Sequence, residues 1–357
     1  MIPILSICIP TLNRPELLLQ SLNSIFNEPL LLNELEICIS NNCSEADYGT
    51  VDTMLADHAG HYQIKYVRHT QRLPLDENHQ YVKRMATSEY IYFLGDDDFF
   101  LRDELGKLLD LIKQKKPDLA IFNGYKVNDA NAYLGPSSAL APCEYESIEA
   151  AFKDLKDKGS YGAVLVHRDM LQDADFERLY QTSHAYGCYW LSLFRKHERG
   201  ETLKIIVPDF PCVALRAGHK SYSSIDVYYK KIPHWMAVHQ ELLQASGLRH
   251  LFDEFAAETV RRNASLRFLI GLGALGYDLY SIQEADPDFY DRHRLSIWLS
   301  QRLATSVFYK GMRRLYRGLF ASAQAQISQT YVAYKLSSAI DNKAKARLIS
   351  DLTDYTL

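Results

Sequence analysis

An α/β fold followed by a mostly α-helical carboxy-terminal region is predicted for this 357-residue chain. Three observations predict it. Over the first 125 residues, short apolar runs alternate with amphipathic stretches, and each apolar run ends in polar turn residues. A run of three aspartates, Asp96-Asp97-Asp98, closes one of these apolar runs. Beyond residue 225, proline is sparse and Leu, Ala, Arg and Gln recur at helical spacing.

The elements follow in order. Leu5 to Pro10 is a short apolar strand that runs into a Pro/Asn turn, Thr11-Leu-Asn13-Arg14-Pro15. Leu17, Leu18, Ser21, Leu22 and Ile25 then share one face of a helix. Leu35 to Ser40 is a second buried strand, ending in the polar turn Asn41-Asn42-Cys43-Ser44, and Gln63 to Arg68 is a third. A helix over Asn78–Thr87 precedes the apolar strand Glu89–Leu94, whose hydrophobic run reads as buried on both faces. Unpaired carboxylates are costly to bury, so the aspartates belong at that strand's exposed carboxyl end, where open α/β sheets bind ligands. Alternate residues there, Asp96 and Asp98, present hard oxygen ligands suited to Mg²⁺ or Mn²⁺. Leu119 to Asn123, Ser160 to Arg168 and Leu203 to Pro208 are further strands. Residues 126–145 read as an irregular connection, Trp190–Arg195 as a helix, and Leu215–Ser221 as a loop.

Taken together, "SICIPTLNRPELLLQSLNSI", "LEICISNNCSEAD" and "ENHQYVKRMATSEYIYFLGDDD" resemble the amino-terminal half of a family 2 glycosyltransferase of GT-A fold. The resemblance covers residues 3–125 strongly and 160–222 weakly. It implies a catalytic domain over 1–224 and a helical region over 225–357 for packing, dimerisation or membrane-surface contact. It also implies a nucleotide-diphosphate sugar donor, a divalent cation (Mn²⁺ or Mg²⁺), and an inverting transfer to a glycan or lipid-linked oligosaccharide acceptor. Pro10, Thr11, Asn13 and Arg14 match the loop that wraps base and ribose. Asn41 stands where many relatives carry an Asp that reads the base, Asn42 and Ser44 complete that motif, and Asn78 faces the nucleotide sugar. Asp96 and Asp97 match the sugar-side acids of a DXD motif, Asp98 its principal metal ligand, and His219 a late loop that joins the metal shell. Several motifs are similar to those of abequosyltransferase-like enzymes of bacterial O-antigen and capsule synthesis.

Relatives carry a carboxylate pair as base near residues 188–195, where this chain has Gly187-Cys188-Tyr189-Trp190. His184 is the substitute, because an imidazole suits a general base near neutral pH; Asp175 and Glu177 follow. Arg216 and Lys220 are candidates to neutralise phosphate oxygens.

Composition agrees. A hydrophobic content of 47% allows a sizeable core, and a net charge of −4 offers no reason to expect nucleic acid. Six scattered cysteines without C-x-x-C spacing fit free thiols in a reducing cytoplasm. No signal peptide and no spanning helix are expected. The glycine-rich stretch Phe268–Tyr277 reads as a buried helix. The aromatic and basic stretch Phe308–Phe320 fits an anionic membrane surface at the inner face of the cytoplasmic membrane, a packed helix, or a dimer contact. Two other classes stay open: a nucleotidyltransferase, opposed by the lack of glycine in "PTLNRPE", and a non-catalytic module with a decayed site.

Overall fold

The structure, a computed structural model, describes residues 3–28, 33–217, 224–306 and 329–339. These divide into two compact units. The first comprises the described residues of 3–177, 186–217 and 329–339; the second comprises 178–185 and 224–306.

The strands of the first unit are β1 (Leu5–Thr11), β2 (Leu35–Asn41), β3 (Gln63–Arg68), β4 (Tyr90–Phe93), β5 (Phe99–Phe100) and β6 (Leu119–Ile121). They continue as β7 (Asn123–Val127), β8 (Tyr133–Pro136), β9 (Cys143–Tyr145), β10 (Val164–His167), β11 (Ile205–Val207) and β12 (Pro211–Arg216). Eight form a mixed sheet in the order β3-β2-β1-β4-β10-β6-β11-β9, and four form a second sheet, β5-β12-β7-β8. The β1–β4 block is parallel, as helical crossovers require, and β10 enters antiparallel to both β4 and β6.

Every residue of β1 and β2 is buried, whereas β3, at the edge, is half-exposed. Helix α1 (Pro15–Phe26) starts with proline at its first turn, where a missing N–H costs nothing, and buries Leu18, Leu22 and Ile25. Helices α2 (Gly49–His58) and α3 (Leu75–Met85) are the next two crossovers. Within β2, Glu36 is fully buried but saturated: Ser6 Oγ (2.5 Å), Thr87 N and Oγ1 (2.7 Å each) and Lys65 Nζ (2.5 Å) all point at it. Burial pushes its pKa up, yet Lys65 and these hydrogen bonds outweigh burial and hold it below the ordinary glutamate range.

Three expectations change. Residues 126–145 are not an irregular connection, because they contain β8 and β9, each pairing at a sheet edge. Leu215 and Arg216 end a strand rather than open a loop. The stretch after residue 225 is not one region. The helix Gln329–Leu336 and the turn after it return to the first unit, where Val332, Leu336 and Ala339 pack with Phe99, Leu101 and Ala214. Lys335 Nζ binds Glu104 Oε1 at 2.6 Å, and Lys335 O accepts the Arg102 N–H. That segment therefore braces β5, the strand just after the aspartate run.

The second unit is helical, with Ile232–Leu242, Arg249–Ala264, Leu266–Ala274 and Pro287–Thr305 as its longer helices. Its core gathers Ile225, Tyr229, Leu269, Leu272, Leu279, Ile282, Phe289 and Ile297. A Cβ on Gly273 would lie 2.8 Å from Ala304 Cβ, so this glycine lets two helices approach closely. The glycine-rich stretch is thus helical only to Ala274 and buries Leu269, Leu272 and Gly273, short of the fully buried helix expected over Phe268–Tyr277. Among the described residues no helix is long and apolar enough to cross a membrane. His219, Lys220 and Phe308–Phe320 lie outside the described residues.

Candidate active site

The carboxyl ends of β1, β2 and β4 converge. Asn42 N donates to Thr11 O at 2.9 Å, and Leu94 N to Cys8 O at 3.0 Å. Pairing of β1 with β4 stops at Cys8–Phe93, while pairing with β2 continues to Thr11–Asn41. Pro10, which has no N–H to give, therefore sits on the β4 side just past the point where β4 leaves the sheet. That parting opens the crevice into which the aspartate loop turns.

The loop after β1 is fastened to the loop after β2. Asn13 has φ +55°, and its Oδ1 accepts Glu45 N at 2.7 Å and Ala46 N at 3.2 Å. Asn13 N donates to Ser44 Oγ at 2.9 Å. The Tyr48 hydroxyl is the hub: it meets Thr11 Oγ1 at 2.8 Å, Arg14 N at 3.2 Å and Ser44 Oγ at 3.2 Å. Asn41 Oδ1 accepts Ser44 N three residues on (3.0 Å), and Asn41 Nδ2 donates to Tyr66 Oη (3.1 Å). Asn42 exchanges two hydrogen bonds with the Leu73 backbone, at 2.7 and 2.9 Å. Asn78 Oδ1 accepts from Ser40 Oγ at 2.6 Å, and Ser40 also meets His69 Nε2 at 2.8 Å.

The aspartates do not act alike. Arg14 Nη1 lies 3.1 Å from Asp96 Oδ1 and 2.9 Å from Asp97 Oδ2. Asp96 Oδ2 also accepts Leu12 N at 3.3 Å. Asp98 turns the other way, and its Oδ1 accepts Arg216 N at 2.9 Å. Its Oδ2 fills the space left by two glycines: a Cβ on Gly95 or Gly162 would come within 2.8 or 2.6 Å of it. Arg14 Nη1 thus meets Asp96 and Asp97, while Asp98 faces Arg216 N. Among the described residues no three His, Cys, Asp or Glu side chains converge as a ready-made metal cluster. Burial, then the Asp97 charge, raises the Asp96 pKa to about 6, and burial, then the Asp97 charge, pushes Asp98 well above the ordinary carboxylate range.

Arg216 is not aimed at phosphate. Its guanidinium binds Asp97 O (3.1 Å), Asn128 O (2.8 Å), Gln20 Oε1 (2.9 Å) and Asn131 Oδ1 (2.7 Å), clamping the aspartate loop from behind. Asp175 is 6% exposed and held by both Arg195 nitrogens at 2.5 and 2.8 Å, which marks it as a structural anchor rather than a proton acceptor. Glu177 meets Arg84 at 2.7 Å. His184 belongs to the second unit, and its Nδ1 lies 2.9 Å from Thr182 O. A carbonyl only accepts, so Nδ1 is the donor in that contact.

Sequence reasoning missed the Tyr48 hub and the Gly162 contact with Asp98. Gly162 adopts φ +91°, a conformation for which its place before a strand was the one visible signal.

A profile described as "Glycosyl transferase family 2" matches residues 6–201. Abequosyltransferase RfbV of Salmonella typhimurium is 34% identical over 106 residues, which is 29% of this chain and 31% of that protein. The chain thus matches about a third of that relative's length. Among solved structures, TarS 1–349 of S. aureus in complex with UDP-GlcNAc superposes with a TM-score of 0.58 at 14% identity, covering 86% of this chain and 92% of that one. The same protein in complex with UDP gives 0.54 at 14% identity and the same coverage.

Proposed function

Because the chain belongs to glycosyl transferase family 2, we propose that this GT-A-fold glycosyltransferase moves a sugar, with inversion, from a nucleotide-diphosphate donor to a glycan. The reading includes a lipid-linked acceptor of O-antigen or capsule type, met by a cytoplasmic enzyme at the inner membrane face. The observation that carries it is the Asp96–Asp97 pair, gripping one cation in the crevice where β4 parts from β1. Likeness to RfbV and to TarS, whose structure is a complex with UDP-GlcNAc, supports a nucleotide sugar as donor.

The residues fit a divalent cation: Asp96 and Asp97 are hard oxygen donors, and a guanidinium nitrogen already stands between them as a stand-in charge. When bound, Mn²⁺ or Mg²⁺ supplies Lewis-acid neutralisation of the leaving diphosphate. The chain's own residues do the rest. Asn13, Ser44 and Tyr48 fix the two loops that flank base and ribose, and Asn42 holds the Leu73 loop against them. Arg216 and the two glycines set the aspartate loop so that Asp96 and Asp97 face the crevice. His184 stays the candidate general base by residue type, because an imidazole suits that role near neutral pH.

The test is thermal shift with UDP, GDP, CDP and dTDP, with and without Mn²⁺. One nucleotide is expected to raise the midpoint only when the metal is present, and Asp97→Asn is expected to abolish the shift. Binding that ignores metal and survives Asp97→Asn would sink the proposal. Cation binding needs ionised Asp96, so the shift is expected to fade as pH drops through about 6 and to stay level from pH 7 to 8. His184→Ala is expected to cut turnover about 10²- to 10⁴-fold with donor affinity unchanged. Near-normal turnover would remove it from the base role.

A further inference from the structure

The helix Pro287–Thr305 of the second unit is apolar on two faces. Phe289, Ile297 and Ala304 are buried on the inner one. On the other, Leu295, Trp298, Leu299 and Leu303 recur at helical spacing and are 76%, 47%, 38% and 41% exposed. A helix packed on one side ordinarily turns polar residues outward. Four large apolar side chains in one outward stripe mark an interaction surface.

Charge indicates what covers it. Arg292, Arg294 and Arg302 are exposed on the same part of the helix, and no Asp or Glu occurs between Arg292 and Ile340. The acidic residues of this helix, Asp288 and Asp291, lie toward its amino-terminal end. The Arg302 guanidinium lies 6.0 Å from the centre of the Trp298 ring, so cation and aromatic share one edge of the stripe. Leucines beside tryptophan and arginine, without carboxylates, suit a helix that lies in the headgroup layer of an anionic bilayer. A second copy of the chain fits less well, because pairing two such stripes sets arginine against arginine.

We propose that this outward face docks the protein on an anionic lipid surface. Leu295, Trp298, Leu299 and Leu303 enter between headgroups, and the three arginines meet lipid phosphates. This deepens the membrane-face part of the reading above and rests on it. The leucines gain by leaving water and the arginines by attraction to anionic lipid, so binding needs both and weakens as salt rises.

The full chain mixed with vesicles of phosphatidylglycerol and phosphatidylcholine tests this without any turnover. Of the 3 tryptophans, Trp190 and Trp235 are buried and Trp298 is exposed, so Trp298 reports the contact. Its emission is expected to shift to the blue, and to be quenched by brominated acyl chains, with these vesicles and not with pure phosphatidylcholine. Trp298→Phe is expected to lose the shift yet still sediment with the vesicles. Leu295→Gln/Leu303→Gln is expected to weaken vesicle binding about tenfold or more, and Arg294→Gln/Arg302→Gln about fivefold per charge removed. Vesicle binding that leaves Trp298 emission unmoved would overturn the proposal, because another surface then makes the contact. Wild-type vesicle binding by Leu295→Gln/Leu303→Gln would overturn it as well. A dimer in sedimentation equilibrium that those two substitutions undo, with no response to lipid, would assign the stripe to a second copy instead. Failure of the transferase reading looks different: the Mn²⁺-dependent nucleotide shift is then absent, whatever the vesicles do.

Discussion

Lys335→Met is expected to lower unfolding stability by about 3–5 kcal/mol, the usual cost of stranding one member of a buried ion pair. Lys335 Nζ lies 2.6 Å from Glu104 Oε1 and 2.9 Å from Arg102 O, and the Lys335 and Glu104 side chains are 7% and 0% exposed. Lys107, at 3.0 Å from Glu104, is half-exposed and compensates only in part. Removing both charges is far milder, because no buried carboxylate is left uncovered. Urea denaturation of Lys335→Met and of the double variant Glu104→Gln/Lys335→Met measures this, with the double variant expected to recover more than half the loss. Equal losses in the two would mean that the pair is not the source of the stability. The loss reaches the site as well, since the same segment donates Ser338 Oγ to Phe100 O just behind the aspartates. Nucleotide affinity of Lys335→Met is therefore expected to fall with stability.

Gly162→Ala is expected to disable transfer by about 10²-fold or more, the usual result when groups near the chemistry are misplaced by about 1 Å. Two costs coincide there. Alanine at φ +91° is strained by about 1–2 kcal/mol, and its Cβ would fall 2.6 Å from Asp98 Oδ2 and 2.8 Å from Leu215 Cδ2. Asp98 cannot simply swing aside, because its other oxygen is tied to Arg216 N. The aspartate loop must then shift, taking Asp96 and Asp97 with it. Steady-state turnover and Mn²⁺-dependent nucleotide binding read this directly. A Gly162→Ala enzyme with lowered melting temperature but unaltered nucleotide affinity would show that Asp98 does not position the pair.

Neither residue stands out in the sequence. Lys335 is one lysine in a helical stretch far from its partner Glu104, and Gly162 is one glycine among 17. The elements around them were readable for local reasons. Strands β1, β2 and β4 are continuous apolar runs, and only burial on both faces tolerates such runs. The polar residues that end them had to lie at the carboxyl edge, because a charged triplet has no place inside a sheet. So the α/β order and the placing of Pro10, Thr11, Asn41 and the aspartates at the carboxyl ends of β1, β2 and β4 were legible before any coordinates.

What the sequence left open depends on partners distant along the chain. Which partner each aspartate takes is decided by Arg14, Arg216 and Gly162, up to 119 residues away. Whether Asp175 is a base or an anchor is decided by Arg195, one turn inside another helix. The same holds for Gln329–Leu336, whose helical pattern is local while its packing against β5 is not. By itself the sequence determined which residues are polar at the ends of buried strands, since burial energy acts residue by residue. Only the tertiary structure decided which charge faces which, because an ion pair is a property of two residues, and folding alone brings them within about 4 Å.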